Sequence, residues 1–113
     1  METKTAVTAL AALAQDSRLA IFRLLVQVGP EGLPAGKIAE TLGIPPSSLT
    51  FHMKELSYAG LVKSRQESRF VIYSAHYAAM NELLAFLMEN CCGGKPCSPS
   101  PSPECLPSQA GSV

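Results

Sequence analysis

The sequence predicts a mainly α fold with one small β-hairpin, an α+β chain built as a single domain. Three observations predict it. Cap and breaker residues divide the chain up to Gly60 into four helical stretches. The period then becomes strand-like between Leu61 and Ser74. Helical spacing returns over residues 76–90.

Val7, Leu10, Leu13 and Ala14 recur at helical spacing, which predicts a first helix over residues 4–14. Asp16 or Ser17 can cap a second, with Leu19, Phe22, Leu25 and Val26 as its buried stripe and Gly29-Pro30 as its end. Pro34 opens a short third helix that runs to Leu42, and Gly43 closes it. After Ile44-Pro45-Pro46, Ser47 or Ser48 can cap a fourth helix to Ala59, with Leu49, Met53 and Leu56 inward. Residues 61–65 and 70–74 are rich in β-branched and aromatic side chains around a polar Gln66-Glu67-Ser68-Arg69, a hairpin pattern. On the last helix Met80, Leu83, Leu84 and Leu87 form one stripe, and Phe86 and Met88 add apolar surface off it. A surface helix with two apolar faces needs two partners, and a second subunit is the expected one. Beyond Pro96 the Ser-Pro repeats predict a disordered tail. The expected organisation is a folded module over 1–90, a cysteine segment over 91–97 and a tail over 98–113.

The 113 residues suffice for one modest core, and 47% are hydrophobic. No apolar run has the length of a membrane span and the N-terminus lacks a signal-peptide pattern, which predicts a cytoplasmic protein. In a reducing compartment, clustered cysteines point to metal binding or redox chemistry. The formal net charge of zero argues against strong non-specific nucleic-acid binding by the whole chain, but not against a local basic patch.

Two short helices on a tight turn, then a hairpin, are the parts of a winged helix-turn-helix. The helix from Ser47 to Ala59 is placed to enter a major groove. Ser47, Ser48, Thr50, Phe51, His52 and Lys54 are its candidate DNA-reading residues, and Thr50 or Phe51 can also touch a thymine methyl. The hairpin sets Lys63, Arg65 and Arg69 against one acid, Glu67, which suits phosphate or minor-groove contacts. The plainer alternative is an ordinary α+β domain with a solvated hairpin. Serines before a helix are also simple caps.

The segments LAQDSRLAIFRLL and GKIAETLGIPPSSLTFHMKELSYAGLVKSRQESRFVIYS, with the terminal helix, resemble the ArsR/SmtB family of metal-responsive repressors. The likeness runs over about residues 7–97. It implies a homodimeric transcriptional repressor of double-stranded operator DNA with a helical dimer interface. Ser68 stands where the family's wing often has glycine.

Effector sites differ within this family, so the site must come from this chain. Residues 34–44 lack cysteine, which removes one known arrangement. On the last helix His76 has no carboxylate or histidine partner for tetrahedral zinc, and reads as a helix-start residue. His52 reads as structural or phosphate-contacting, not as a ligand. What remains is NCCGGKPC, similar to the Asn-Cys-Cys and following cysteine of some arsenite sensors in the family. Trivalent arsenic and antimony take three thiolates in a pyramid, and Cys91, Cys92 and Cys97 supply three. Adjacent cysteines on a regular helix diverge by about 100°, so the helix must end near Asn90 or Cys91. Gly93-Gly94 can then turn the chain back. Cys105 is expected to be a spectator. No resident cofactor is required; the effector is As(III) or Sb(III). The alternative keeps the repressor and has the thiols sense Zn, Cd, Pb, Bi or oxidation.

An enzyme is not expected. No arginine follows a cysteine at the spacing of a phosphatase-like arsenate reductase, and no phosphate loop or acid–base pair is present. A winged-helix module that binds protein instead of DNA is the remaining alternative. The basic hairpin argues against it.

Overall fold

The computed structural model describes residues 1–94. Helix α1 spans Thr3–Leu13, α2 Asp16–Val28, α3 Ala35–Leu42, α4 Pro46–Tyr58 and α5 Tyr77–Leu87. Strand β1 is Leu33–Pro34, β2 Val62–Glu67 and β3 Phe70–Ala75, and a short 3-10 turn covers Cys91–Gly94. Cys97, Cys105 and the expected tail lie outside the described residues.

The core is where α2, α3, α4 and the hairpin meet. Ile21, Leu25, Ile38, Leu56 and Leu61 are enclosed there, each contributing about 1.5–3 kcal/mol of burial. Helix α4 buries Leu49, Met53 and Leu56, the three positions its spacing predicts. Helix α1 differs from expectation. It buries Ala6, Ala9 and Ala12, while Val7 and Leu10 are 57% and 41% exposed. Alanines let α1 approach its neighbours closely, so its larger side chains point away. Leu19, expected inside, is exposed, and Ile21 takes the buried place beside Phe22 and Leu25.

The caps also differ from expectation. Gln15 caps α2, its side chain accepting from the Arg18 amide at 3.0 Å, and Asp16 is the first helical residue. There its charge suits the helix N-terminus. Pro45 stands at the cap of α4 and Pro46 opens it, without a side-chain cap bond. Pro46 fits because the first turn has no use for its missing N–H. Ser47 and Ser48 therefore sit inside the first turn with exposed side chains. Gly43 ends α3 in the left-handed region, φ 67°.

The sheet has three antiparallel strands in the order β1-β3-β2. Strand β1 was not read from the sequence; two residues, one a proline, carry no period. It pairs Leu33 with Tyr73 and Pro34 with Ile72. Gly32 precedes it at φ 73°, and a Cβ there would collide with the Tyr73 carbonyl. Gly32→Ala should lower stability by about 2 kcal/mol or more, read as a lower urea midpoint with an unchanged slope. Strands β2 and β3 extend further toward the tip than the sequence suggests, pairing Glu67 with Phe70. The loop is just Ser68-Arg69, and Ser68 takes φ 58°. Two-residue hairpin loops need such a φ, which explains glycine's usual place there.

Helix α5 stops at Leu87, three residues before the expected end. Its expected single stripe splits in two. Leu83 is buried, and Met80 and Phe86 pack on the core; Leu84, Leu87 and Met88 are 50%, 55% and 48% exposed. The start of α5 is latched twice. His76 Nδ1 donates to the Gly60 carbonyl at 3.0 Å, and the Tyr77 hydroxyl donates to the Val26 carbonyl at 3.0 Å. His76 is thus the helix-start residue its sequence position suggests. Among the described residues no helix is long and apolar enough to cross a membrane.

Candidate functional site

Helix α4 presents one face to the core and the opposite face outward. Ser47, Ser48, Thr50, Phe51 and Lys54 are all exposed on it. Thr50 Oγ1 donates to the Pro46 carbonyl at 3.0 Å, which orients its methyl and leaves the oxygen able to accept. Phe51 is 56% exposed. Sequence reasoning missed Tyr58, which is 86% exposed. The spacing Ser47, Phe51, Lys54, Tyr58 follows one helical face and was the available signal.

His52 stands apart from the other five. It is half-buried, its ring edge-on to Phe51 with centroids 5.8 Å apart. Its Nδ1 lies 3.3 Å from Arg18 Nη1 of α2, and Arg18 Nε donates to the Ala12 carbonyl at 2.7 Å. One guanidinium thereby ties the end of α1 and the start of α2 to α4. The sequence of α2 signals caps and an apolar stripe but gives no sign of Arg18's role, whose partners come from α1 and α4.

The two wing arginines differ. Arg65 Nε pairs with Glu67 at 2.7 Å and Nη2 donates to the Glu31 carbonyl at 2.7 Å. Its guanidinium braces the wing against the loop before β1. Arg69 sits in the turn, exposed, and no acid among the described residues pairs with it. Lys63 is exposed on β2.

The thiol segment follows α5 at the far end of the chain. The Cys91 amide donates to the Met88 carbonyl at 3.0 Å, closing a turn. Asn90, Cys92 and Gly93 have φ of 58°, 56° and 69°. This backbone breaks the helical divergence of neighbouring side chains and brings the Cys91 and Cys92 sulfurs within 3.6 Å. Tetrahedral bonds of ~2.3 Å to a shared ion would hold two sulfurs about 3.8 Å apart, so the pair has the reach to share one only once Cys92 is reduced to its thiol. Cys92 is in disulfide form. Among the described residues no group of three metal-ligating side chains forms; the expected third ligand, Cys97, lies outside them.

Residues 13–65 match the family described as a helix-turn-helix domain. The HTH-type transcriptional regulator YceK of Bacillus subtilis is 41% identical over 58 residues, 51% of this chain; the chain spans 57% of that relative's length. The structure of HlyU from Vibrio cholerae is 34% identical, with a TM-score of 0.61, covering 77% of this chain and 97% of that one. An ArsR-like transcriptional regulator from Rhodococcus is 26% identical, with a TM-score of 0.67, covering 74% and 76%. Such relatives are regulators, not enzymes. The strand pairing, the exposed face of α4 and these likenesses converge: the chain is a winged helix-turn-helix protein of the ArsR/SmtB family of transcriptional regulators.

Proposed function

We propose that this chain is a homodimeric repressor that grips operator DNA with α4 and the wing, and lets go when As(III) or Sb(III) bonds its C-terminal cysteines. The observation that carries the DNA reading is the outward face of α4, with Arg69 exposed in the wing turn and paired with no acid among the described residues. Hydroxyls, an aromatic ring and a lysine face a groove while the wing cation meets phosphate. The dimer reading rests on exposed Val7 and Leu10 of α1, and on exposed Leu84 and Leu87 of the adjoining α5 with Met88 at its C-cap. Apolar residues grouped in this way mark a protein interface.

The effector reading rests on the paired Cys91 and Cys92 sulfurs. Three thiols, with Cys97 as the third, exchange with As(OH)3 to give three As–S bonds and three waters, after any disulfide is reduced. Pulling the thiolates together reshapes the end of α5 and with it the dimer. Coupling of about 1–3 kcal/mol changes operator affinity roughly 5–150-fold. The disulfide form of Cys92 favours a second reading, in which oxidation of these thiols is the signal. Titrating the reduced, operator-bound protein with arsenite, antimonite, zinc, cadmium and a mild oxidant separates them. Release by the trivalent metalloids alone supports the first reading, and release by oxidant alone replaces it with the second.

Arg69→Ala should weaken binding to every duplex and lower the salt slope by about one. Arg65→Ala should also lower wing stability, since it loses the Glu31 brace. Equal salt slopes for Arg69→Ala and wild type would remove Arg69 from the phosphate contacts.

A further inference from the structure

We infer that Arg18 is a positioning residue that fixes the tautomer of His52, so that His52 offers operator DNA a hydrogen-bond donor at Nε2. This rests on the DNA-binding reading above.

A guanidinium has donors and no acceptor. Where Arg18 Nη1 meets His52 Nδ1 at 3.3 Å, the imidazole nitrogen accepts. The neutral ring then carries its proton on Nε2. Arg18 is itself locked. Its Nε donates to the Ala12 carbonyl at 2.7 Å, and its amide donates to Gln15 Oε1 at 3.0 Å. The Phe51 ring, edge-on at 5.8 Å, limits rotation of the imidazole. Among the described residues no protein group bonds Nε2. It is held as a donor on α4, next to the exposed Phe51 face. The acceptors a duplex offers such a donor are guanine O6 and N7, adenine N7 and thymine O4 on base edges, and phosphate oxygens on the backbone. A cytosine amino group is rejected. Arg18 thus acts on recognition from α2, through His52.

The second histidine is an internal control. His76 Nδ1 faces the Gly60 carbonyl at 3.0 Å, and a carbonyl only accepts, so His76 carries its proton on Nδ1. The chain has two histidines, and the structure gives them opposite tautomers.

Long-range 1H–15N spectra of the whole protein at about pH 8.5, where imidazoles are neutral, read both directly. His52 is expected in the Nε2–H form and His76 in the Nδ1–H form. Arg18→Met should convert His52 alone to a mixture, and Arg18→Lys, which can still donate, should restore part of the wild-type signal. An Nδ1–H form for His52 in wild type, or an unchanged His52 in Arg18→Met, overturns the inference. Operator selection gives the second readout. Arg18→Met and His52→Phe should each weaken operator binding about 5–30-fold, the size of one buried hydrogen bond, and the double variant no further. Lost preference at one base pair per half-site identifies a base edge; uniform weakening identifies a phosphate. Wild-type affinity in His52→Phe overturns the inference while leaving DNA binding intact. A wild-type chain that binds no duplex defeats the DNA reading itself, and this inference with it, whatever the tautomers.

Discussion

Leu84→Asp together with Leu87→Asp should yield a folded monomer that no longer holds its operator. Both side chains are about half exposed on α5, so a charge there disturbs little within the subunit. In the proposed dimer each leucine is covered by the mate. Removing one from burial costs about 1.5–3 kcal/mol, and a carboxylate in its place must also be desolvated. Each substitution occurs twice across a two-fold interface. The dimer should therefore weaken by several orders of magnitude, and operator affinity should fall by about 100-fold or more, because a lone subunit reads one half-site. Leu83→Asp is the contrast. Leu83 is 6% exposed and packed on the subunit's own core, so that variant should lose its fold as well. Sedimentation and circular dichroism separate the cases. A dimeric Leu84→Asp/Leu87→Asp protein would place the interface elsewhere.

Cys91→Ser and Cys92→Ser should each repress like wild type and fail to be induced by arsenite. The segment follows α5 and belongs neither to α4 nor to the wing that operator binding needs. Loss of one thiolate removes one of three As–S bonds and the free energy that drives thiol deprotonation on binding. Induction should drop from roughly 5–150-fold to about none. X-ray absorption on the arsenite complex should show three sulfur neighbours. Two sulfurs and an oxygen, with Cys97→Ser still inducible, would assign the response to Cys91 and Cys92 alone. Cys105→Ser should respond as wild type.

The order of helices and hairpin was legible because each boundary carries its own chemistry. Gly43 ends α3 where the sequence marks it, while α4 opens at Pro46, ahead of the serines expected to cap it. What was not legible was which apolar face belongs to the subunit. Val7 and Leu10 outweigh Ala6, Ala9 and Ala12 in hydrophobicity, yet the alanines are inside. Close helix approach selects small residues, and the chain leaves its large ones for another surface. The same ambiguity let Leu83 and Leu84 be read as one stripe. Strand β1 was invisible because its position depends on Gly32 meeting the carbonyl of Tyr73, a residue distant in sequence.

The candidate site was legible where it is local. Ser47, Ser48, Thr50, Phe51 and Lys54 share a helix face that spacing alone defines, and Tyr58 continues that face one turn further. The partners of His52 and Arg65 were not legible. Arg18 and Glu31 are each 34 residues distant in sequence, and only the fold brings them together. The thiol pair was legible in composition, but its geometry depends on positive φ at Cys92, a residue that rarely adopts it, as well as at Asn90.

Binding of the reduced, full-length protein to a duplex with two half-sites one helical turn apart tests the central claim most directly. Anisotropy with sedimentation should show two chains per duplex, affinity that falls steeply with salt, and release on adding arsenite. A single chain per duplex, or the same affinity for unrelated sequences at every salt concentration, would contradict a dimeric operator-reading repressor.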